Sequence, residues 1–314
     1  MSDETLKMKT IVVCIDFTAA SDLALLYARR FAVRSGAKLL LVHIVDPARV
    51  SPEELDAHLA LHDIVDSAKA DMQKIWAESA GQGIAGSWIV RHGNVRDMIL
   101  DAVQENQADL MVLGSKGMSL TGGSRFGTVA EQLVRAAPCP VLTVVPESPW
   151  QQLENDHHRW LLVPTNFSAA SQAAFLYALA FAKSIGGSLL LLHAIEDDFA
   201  VEPIARQLED LRSKEMGMLL ASARAAHVEA ESVIRVGDAS ELILELARER
   251  KADYIVMGVR GGDQVDGTRL HGRVQGLMHQ SPCPLFSIYL RKSTTASSRK
   301  LEAPEGLSTF HPSH

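Results

Sequence analysis

Cysteine is scarce in this chain. Cys14, Cys139 and Cys283 are the only three in 314 residues, far apart and without a Cys-x-x-Cys pair. That excludes a disulfide framework and a zinc ribbon and leaves buried, reduced thiols. Long apolar runs are also missing. The run at Leu189–Leu192 is the size of a strand, and none in the chain approaches the ~20 residues of a membrane span. Residues 1–10 are polar and lack the apolar centre of a secretion signal, so the expected location is cytoplasmic. Positive charge is not in excess: 31 Lys and Arg stand against 38 Asp and Glu, a net charge of −7. A general nucleic-acid binder needs a basic face and is disfavoured, although a local basic patch is compatible. Three signatures are absent as well: a Walker A loop, a Gly-x-Gly-x-x-Gly turn after the first strand, and a Gly-x-Ser-x-Gly nucleophile elbow.

What remains is a soluble globular composition, 47% apolar and 22% charged, long enough for two domains. The chain repeats itself. Residues 11–45 and 161–195 are identical at sixteen of 35 positions at an offset of 150, among them Phe17/Phe167, Ala-Ala-Ser at 19–21 and 169–171, Gly36/Gly186 and His43/His193. Residues 107–145 and 251–289 match at eleven of 39 at an offset of 144, including Asp109/Asp253, Gly114/Gly258, Gly117/Gly261, Gly123/Gly267, Arg125/Arg269 and a Pro-Cys-Pro at 138–140 and 282–284. A period this long means duplicated domains rather than a solenoid. The reading is a first domain over 1–147, a Pro-containing polar linker over 148–159, a second domain over 160–290, and a disordered Ser/Thr/Pro-rich tail over 291–314.

Within one copy, apolar β-branched runs alternate with helical spacing. Strands are predicted at 10–16, 38–45, 87–91, 110–113 and 141–145, and helices at 19–35, 53–80, 95–106 and 128–136. Thr18 is the expected N-cap and Gly36 the C′ residue of the first helix. This order implies two doubly wound α/β domains, each with a five-stranded parallel sheet flanked by helices. Ligands of such sheets sit at the carboxyl ends of the strands, where the strand order reverses, which directs attention to Asp16, Ile44 and the loop after Leu113.

That loop runs Gly114-Ser115-Lys116-Gly117, nine residues, then Gly127-Thr128. Gly114 would allow close approach of backbone and ligand, and Gly117 a positive φ. Gly127-Thr128 would open a helix whose free amides and dipole favour an anion, with Lys116 and Arg125 adding charge.

Together with Val-Val-Cys-Ile-Asp-Phe-Thr (12–18), Leu-Leu-Val-His-Ile-Val-Asp (40–46), Arg-His-Gly-Asn (91–94) and Ala-Pro-Cys-Pro-Val (137–141), the chain resembles the universal stress protein family in its tandem form over nearly all of 9–290. The resemblance implies ATP, carried with Mg²⁺, in the first copy. Asp16 and the Ile44 backbone would face the adenosine, with Leu113 beside the base. Gly114, Gly117, Gly127, Thr128 and the Val129 amide would hold ribose and phosphates. Ala130 stands where some members carry a hydroxyl, which implies one phosphate contact fewer. It further implies a regulatory role in stress response and pairing of the copies through their fifth strands as an internal pseudo-dimer, with a homodimer of chains left open.

The second copy departs from this pattern. Asn166 replaces Asp16, and His271, Gly272 and Arg273 fall at the positions of Gly127, Thr128 and Val129. An imidazole at the Gly127 position obstructs the backbone approach, so this copy is expected not to bind ATP in the family manner. Arg260, Arg269, His271 and Arg273 then read as solvated charges of a degenerate loop. His43 and His193 read as packed structural residues rather than acid–base or metal groups. His157-His158 lacks a visible third ligand, and Cys14 is expected to have an ordinary thiol on the Asp16 face. Two rival readings stay open: a slow ATPase, for which Asp16 is the available carboxylate, and a nucleotide-independent scaffold for a protein or small apolar ligand.

Overall fold

The computed structural model describes residues 6–49, 57–115, 128–145, 158–195, 202–260, 276–277 and 280–290. The first copy runs β1 (Thr10–Cys14), α1 (Ala19–Ser35), β2 (Lys38–Val45), α2 (Ala57–Gly81), β3 (Gly86–His92), α3 (Val95–Glu105), β4 (Leu110–Gly114), α4 (Thr128–Ala136) and β5 (Val141–Val144). The second runs β6 (Trp160–Pro164), α5 (Ala169–Ile185), β7 (Ser188–Ile195), α6 (Glu202–Ala225), β8 (Ala230–Val236), α7 (Ala239–Glu249), β9 (Tyr254–Arg260) and β10 (Leu285–Leu290). The proposed tail and most of the linker lie outside the described residues. Arg159, placed in the linker by composition, is buried, and its carbonyl accepts from Ser188 N at 2.8 Å.

Local chemistry sets the helix ends. Thr18 caps α1 with a capping box to Ser21, and Gly36 closes it at φ +69° with its N–H on Ala32 O at 2.8 Å. In α5 the Ser168 side chain accepts from Ser171 N at the start, and Gly186 closes the end with its N–H on Ala182 O. β1 stops at Cys14 instead of reaching Asp16 because Phe17 adopts φ +60°, and Phe167 repeats this conformation in the second copy. A bulky residue in the left-handed region costs on the order of 1–3 kcal/mol. In both copies the aromatic ring is held on the His at the end of the next strand, at 4.4 Å for Phe17–His43 and 4.8 Å for Phe167–His193.

Within each copy the strands are parallel, in the order 3-2-1-4-5. One face of the first copy is covered by α1 and α2, the other by α3 and α4. The direction of winding reverses between β1 and β4, as the doubly wound reading requires. Identical residues of the two copies find a reason here. Asp109 accepts the main-chain N–H of Lys9 (2.7 Å) and Thr10 (3.0 Å), and Asp253 that of Trp160 (2.8 Å), so each carboxylate fastens the entry of β1 or β6 beside its neighbour. The second Pro of each Pro-Cys-Pro offers its carbonyl to Met111 or Ile255 at 3.0 Å, starting the last pairing of its sheet.

The two five-stranded sheets do not stay separate. β5 pairs antiparallel with β10 to give one ten-stranded sheet ordered β3-β2-β1-β4-β5-β10-β9-β6-β7-β8. The register sets Leu142 opposite Phe286, Thr143 opposite Leu285 and Val141 opposite Ser287. The repeat offset of 144 equates Leu142 with Phe286, Thr143 with Ser287 and Val141 with Leu285. The pairing therefore maps onto itself, the signature of an isologous interface, and the internal pseudo-dimer is present. Beneath it Phe31, Phe181, Tyr254 and Phe286 form a ring cluster drawn from both copies, with Phe31–Phe181 at 5.6 Å and Phe181–Phe286 at 5.0 Å.

Because this apolar layer is continuous, the halves are expected to unfold together. Phe286→Ala, at a position with no solvent exposure, should cost about 3–5 kcal/mol. Urea denaturation followed by circular dichroism should show one transition, shifted as a whole, and not the loss of the second half alone.

Candidate functional site

The carboxyl edge of the first sheet collects most of the residues singled out from the sequence. Asp16 follows β1, Ile44 lies near the end of β2, Leu113 and Gly114 end β4, and Thr128 is the first residue of α4, with Val129 next to it. Gly117, Gly127, Lys116 and Arg125 lie outside the described residues, as do His271 and Arg273 of the second copy.

Asp16 is half-buried. Its Oδ1 accepts both the main-chain N–H of Thr18 (3.1 Å) and the Thr18 hydroxyl (2.6 Å), while Oδ2 takes no hydrogen bond from the described residues. Thr18 thus works twice: its hydroxyl oxygen accepts from Ser21 N to start α1, and its proton fixes the carboxylate. The carboxylate therefore stands oriented, with one oxygen available as an acceptor.

Ile44 contributes its main chain. Ile15 N donates to Val42 O at 2.9 Å, so Val42 turns its polar groups toward β1, whereas Val45 O accepts from Gly93 on the β3 side. With a period of two, the N–H and C=O of Ile44 face the β1 side. β1 has already ended there, and those groups have no main-chain partner among the described residues. A donor and an acceptor from one residue thus open onto the gap beside Asp16. Leu113 is buried against Ile44's side of the core, and the first-turn amides of α4 lack intrahelical partners by construction.

Gly114 has a packing reason of its own. A Cβ there would lie 2.7 Å from Ala20 C and 2.8 Å from Ala20 O, so the backbone of α1 comes close at this glycine. Gly258 is tighter still, with Ala170 O at 2.1 Å. Survival of this glycine in the second copy reports helix-on-strand packing and says nothing about phosphate.

Three of the histidines are hydrogen-bonded within the fold. His43 donates its Nδ1–H to Ile15 O and His193 to Thr165 O, each at 2.8 Å. Burial holds the His193 imidazole below its ordinary range, which favours the neutral ring. His158 is engaged by the Ser188 hydroxyl at 2.7 Å. Cys14 corrects an expectation: its thiol is not ordinary. Burial, followed by the nearby Asp16 charge, pushes it up to about 12.

Two outcomes follow. Cys14 stays protonated through the neutral range, so thiol alkylation at pH 8 should proceed orders of magnitude faster after unfolding in guanidinium than in the native protein, as mass spectrometry of Cys14 peptides would show. Gly114→Ala and Gly258→Ala should each destabilise the fold by about 1–3 kcal/mol through overpacking, read as a lower urea midpoint. The loss at Gly258 should occur although no nucleotide role is assigned to it.

A model described as the universal stress protein family matches residues 7–145 and again 158–288. A universal stress protein of Mycolicibacterium smegmatis is 27% identical over 282 residues, covering 86% of this chain and 93% of that one. A single-domain-length relative from Thermus aquaticus is 31% identical over 138 residues, 43% of this chain and 98% of its own. Among solved structures, a universal stress protein from Archaeoglobus fulgidus superposes with a TM-score of 0.67 at 20% identity, covering 89% of this chain and 98% of that one, a likeness of fold. With both halves matched and the two copies joined through β5 and β10, the chain belongs to the universal stress protein family as a tandem, internally paired member.

Proposed function

We propose that the chain is a cytoplasmic regulatory protein of the stress response whose first copy binds ATP, carried with Mg²⁺, while the second copy serves as its packing partner. The observation that supports this reading most is the open polar set at the carboxyl edge of β1 and β2: the free Oδ2 of Asp16 beside the unpaired main-chain N–H and C=O of Ile44. A carboxylate acceptor suits a ribose hydroxyl, and a paired amide donor and acceptor suit the edge of an adenine ring. The residue types fit the rest of the nucleotide: Leu113 offers an apolar neighbour to the base. Gly117, Gly127, Thr128 and the Val129 amide supply the glycine freedom and helix-start donors that phosphates require. The magnesium would travel on the phosphates.

In the second copy Ala194 repeats the strand geometry of Ile44, since Thr165 N donates to Leu192 O at 2.8 Å. What differs is chemistry: Asn166 carries no charge, and His271 stands at the position of Gly127. The reading therefore assigns one nucleotide per chain.

Calorimetric titration with Mg-ATP tests this. One site per chain is expected, abolished by Gly127→His and not doubled by His271→Gly. Asp16→Ala should weaken binding about ten- to a hundredfold, the worth of a hydrogen bond to a charged group. No binding by the wild type would favour a nucleotide-independent scaffold, and two sites per chain would show that the second copy is competent.

A further inference from the structure

Where the carboxyl ends of α1 and α5 come together, they and residues 6–10 enclose a cleft of about 790 Å³. That is within the size of small-molecule sites, which run to roughly 300–1,000 Å³. Phe31 and Phe181 lie at its floor, and Lys7, Lys9, Arg34 and Lys38 line it, with no Asp or Glu among the lining residues. None of the four cations takes part in an ion pair among the described residues. Four cations that no described acidic side chain pairs thus line one hollow of a chain with net charge −7, a setting that suits an anion.

The cations belong to one copy. At the offset of 150, Arg34 corresponds to Ser184 and Lys38 to Ser188. Lys7 falls opposite His157, and only Lys9 meets a cation at its counterpart, Arg159, so the full set of four charges does not follow from the repeated scaffold. Nor does it belong to the nucleotide edge. Lys38 opens β2 and Val45 ends it, about 23 Å apart at the rise of a strand.

We propose that this cleft binds a free amphipathic anion, a carboxylate or phosphate on an apolar chain, with its head among Lys7, Lys9, Arg34 and Lys38 and its tail over Phe31 and Phe181. The apolar floor distinguishes such a ligand from a bare anion, and the cations distinguish it from a neutral hydrocarbon. The site is independent of the proposed ATP site.

Calorimetry on the full chain with laurate tests the proposal, compared with dodecyltrimethylammonium, inorganic phosphate and phosphatidylglycerol vesicles. Laurate is expected to bind at submicellar concentration, more tightly than either the cation or phosphate. The combined variant Lys7→Gln, Lys9→Gln, Arg34→Gln and Lys38→Gln, all with exposed heads, should lose at least tenfold in laurate affinity while its Mg-ATP titration matches the wild type. The proposal is overturned if laurate does not bind, if it binds the variant equally well, or if phosphate alone binds as tightly. Binding to the vesicles without binding to free laurate, or displacement of laurate by equimolar Mg-ATP, would also overturn it.

Discussion

Three facing residue pairs hold the molecule in one piece. Leu142 opposite Phe286, flanked by Thr143 with Leu285 and Val141 with Ser287, turns two five-stranded sheets into one of ten strands. Without this pairing each half would expose the polar edge of its last strand, a template for unwanted association. It would also expose the apolar face that Phe31, Phe181, Tyr254 and Phe286 now close. Duplication within one chain supplies the partner at a high effective concentration, so the edge is covered without dependence on a second molecule.

That arrangement divides the repeated residues into two sorts. Some serve the fold and recur because each half needs them. The Asp109 and Asp253 carboxylates fasten the entry of a strand, Gly114 and Gly258 let a helix start against β4 and β9, and Phe17 and Phe167 occupy the same left-handed turn against a histidine. Others differ between the copies: Asp16 against Asn166, Gly127 against His271, and Arg34 and Lys38 of the α1–α5 cleft against Ser184 and Ser188. The left-handed turn at Phe167 is informative here. It persists in the copy that carries Asn166 in place of Asp16, so this conformation recurs with the scaffold.

Much of the architecture was legible in the sequence because it rests on local rules. The capped helix 19–35 and the strand 38–45 were read with the bounds that the structure has, since Thr18, Gly36 and the apolar run of β2 each carry their own signal. β1 was read two residues too long, because nothing in periodicity announces that a phenylalanine will take a positive φ. The edge that gathers Asp16, Ile44, Leu113 and Thr128 was legible from strand order alone. The unpaired main chain of Ile44 was not, since it depends on where a neighbouring strand stops. The packing reason for Gly114 was hidden for the same cause: a glycine at the end of a strand signals close approach, but only three-dimensional packing brings Ala20 against it. The cleft was invisible for a related cause, its residues being drawn from 6–10, the end of α1 and the end of α5.

The distinction between shared scaffold and private chemistry also explains how one copy could change its loop without loss of the whole. A substitution at Gly258 would press on Ala170 and disturb the fold that both halves share. The β5–β10 pairing runs from Leu285 to Ser287. His271 is not among the paired residues, so the reading proposed above lets this position differ from Gly127 without a change in that pairing. On the proposed reading an internal dimer needs two folds but only one nucleotide site, so its sequence is free to vary at the second wherever the shared core does not reach.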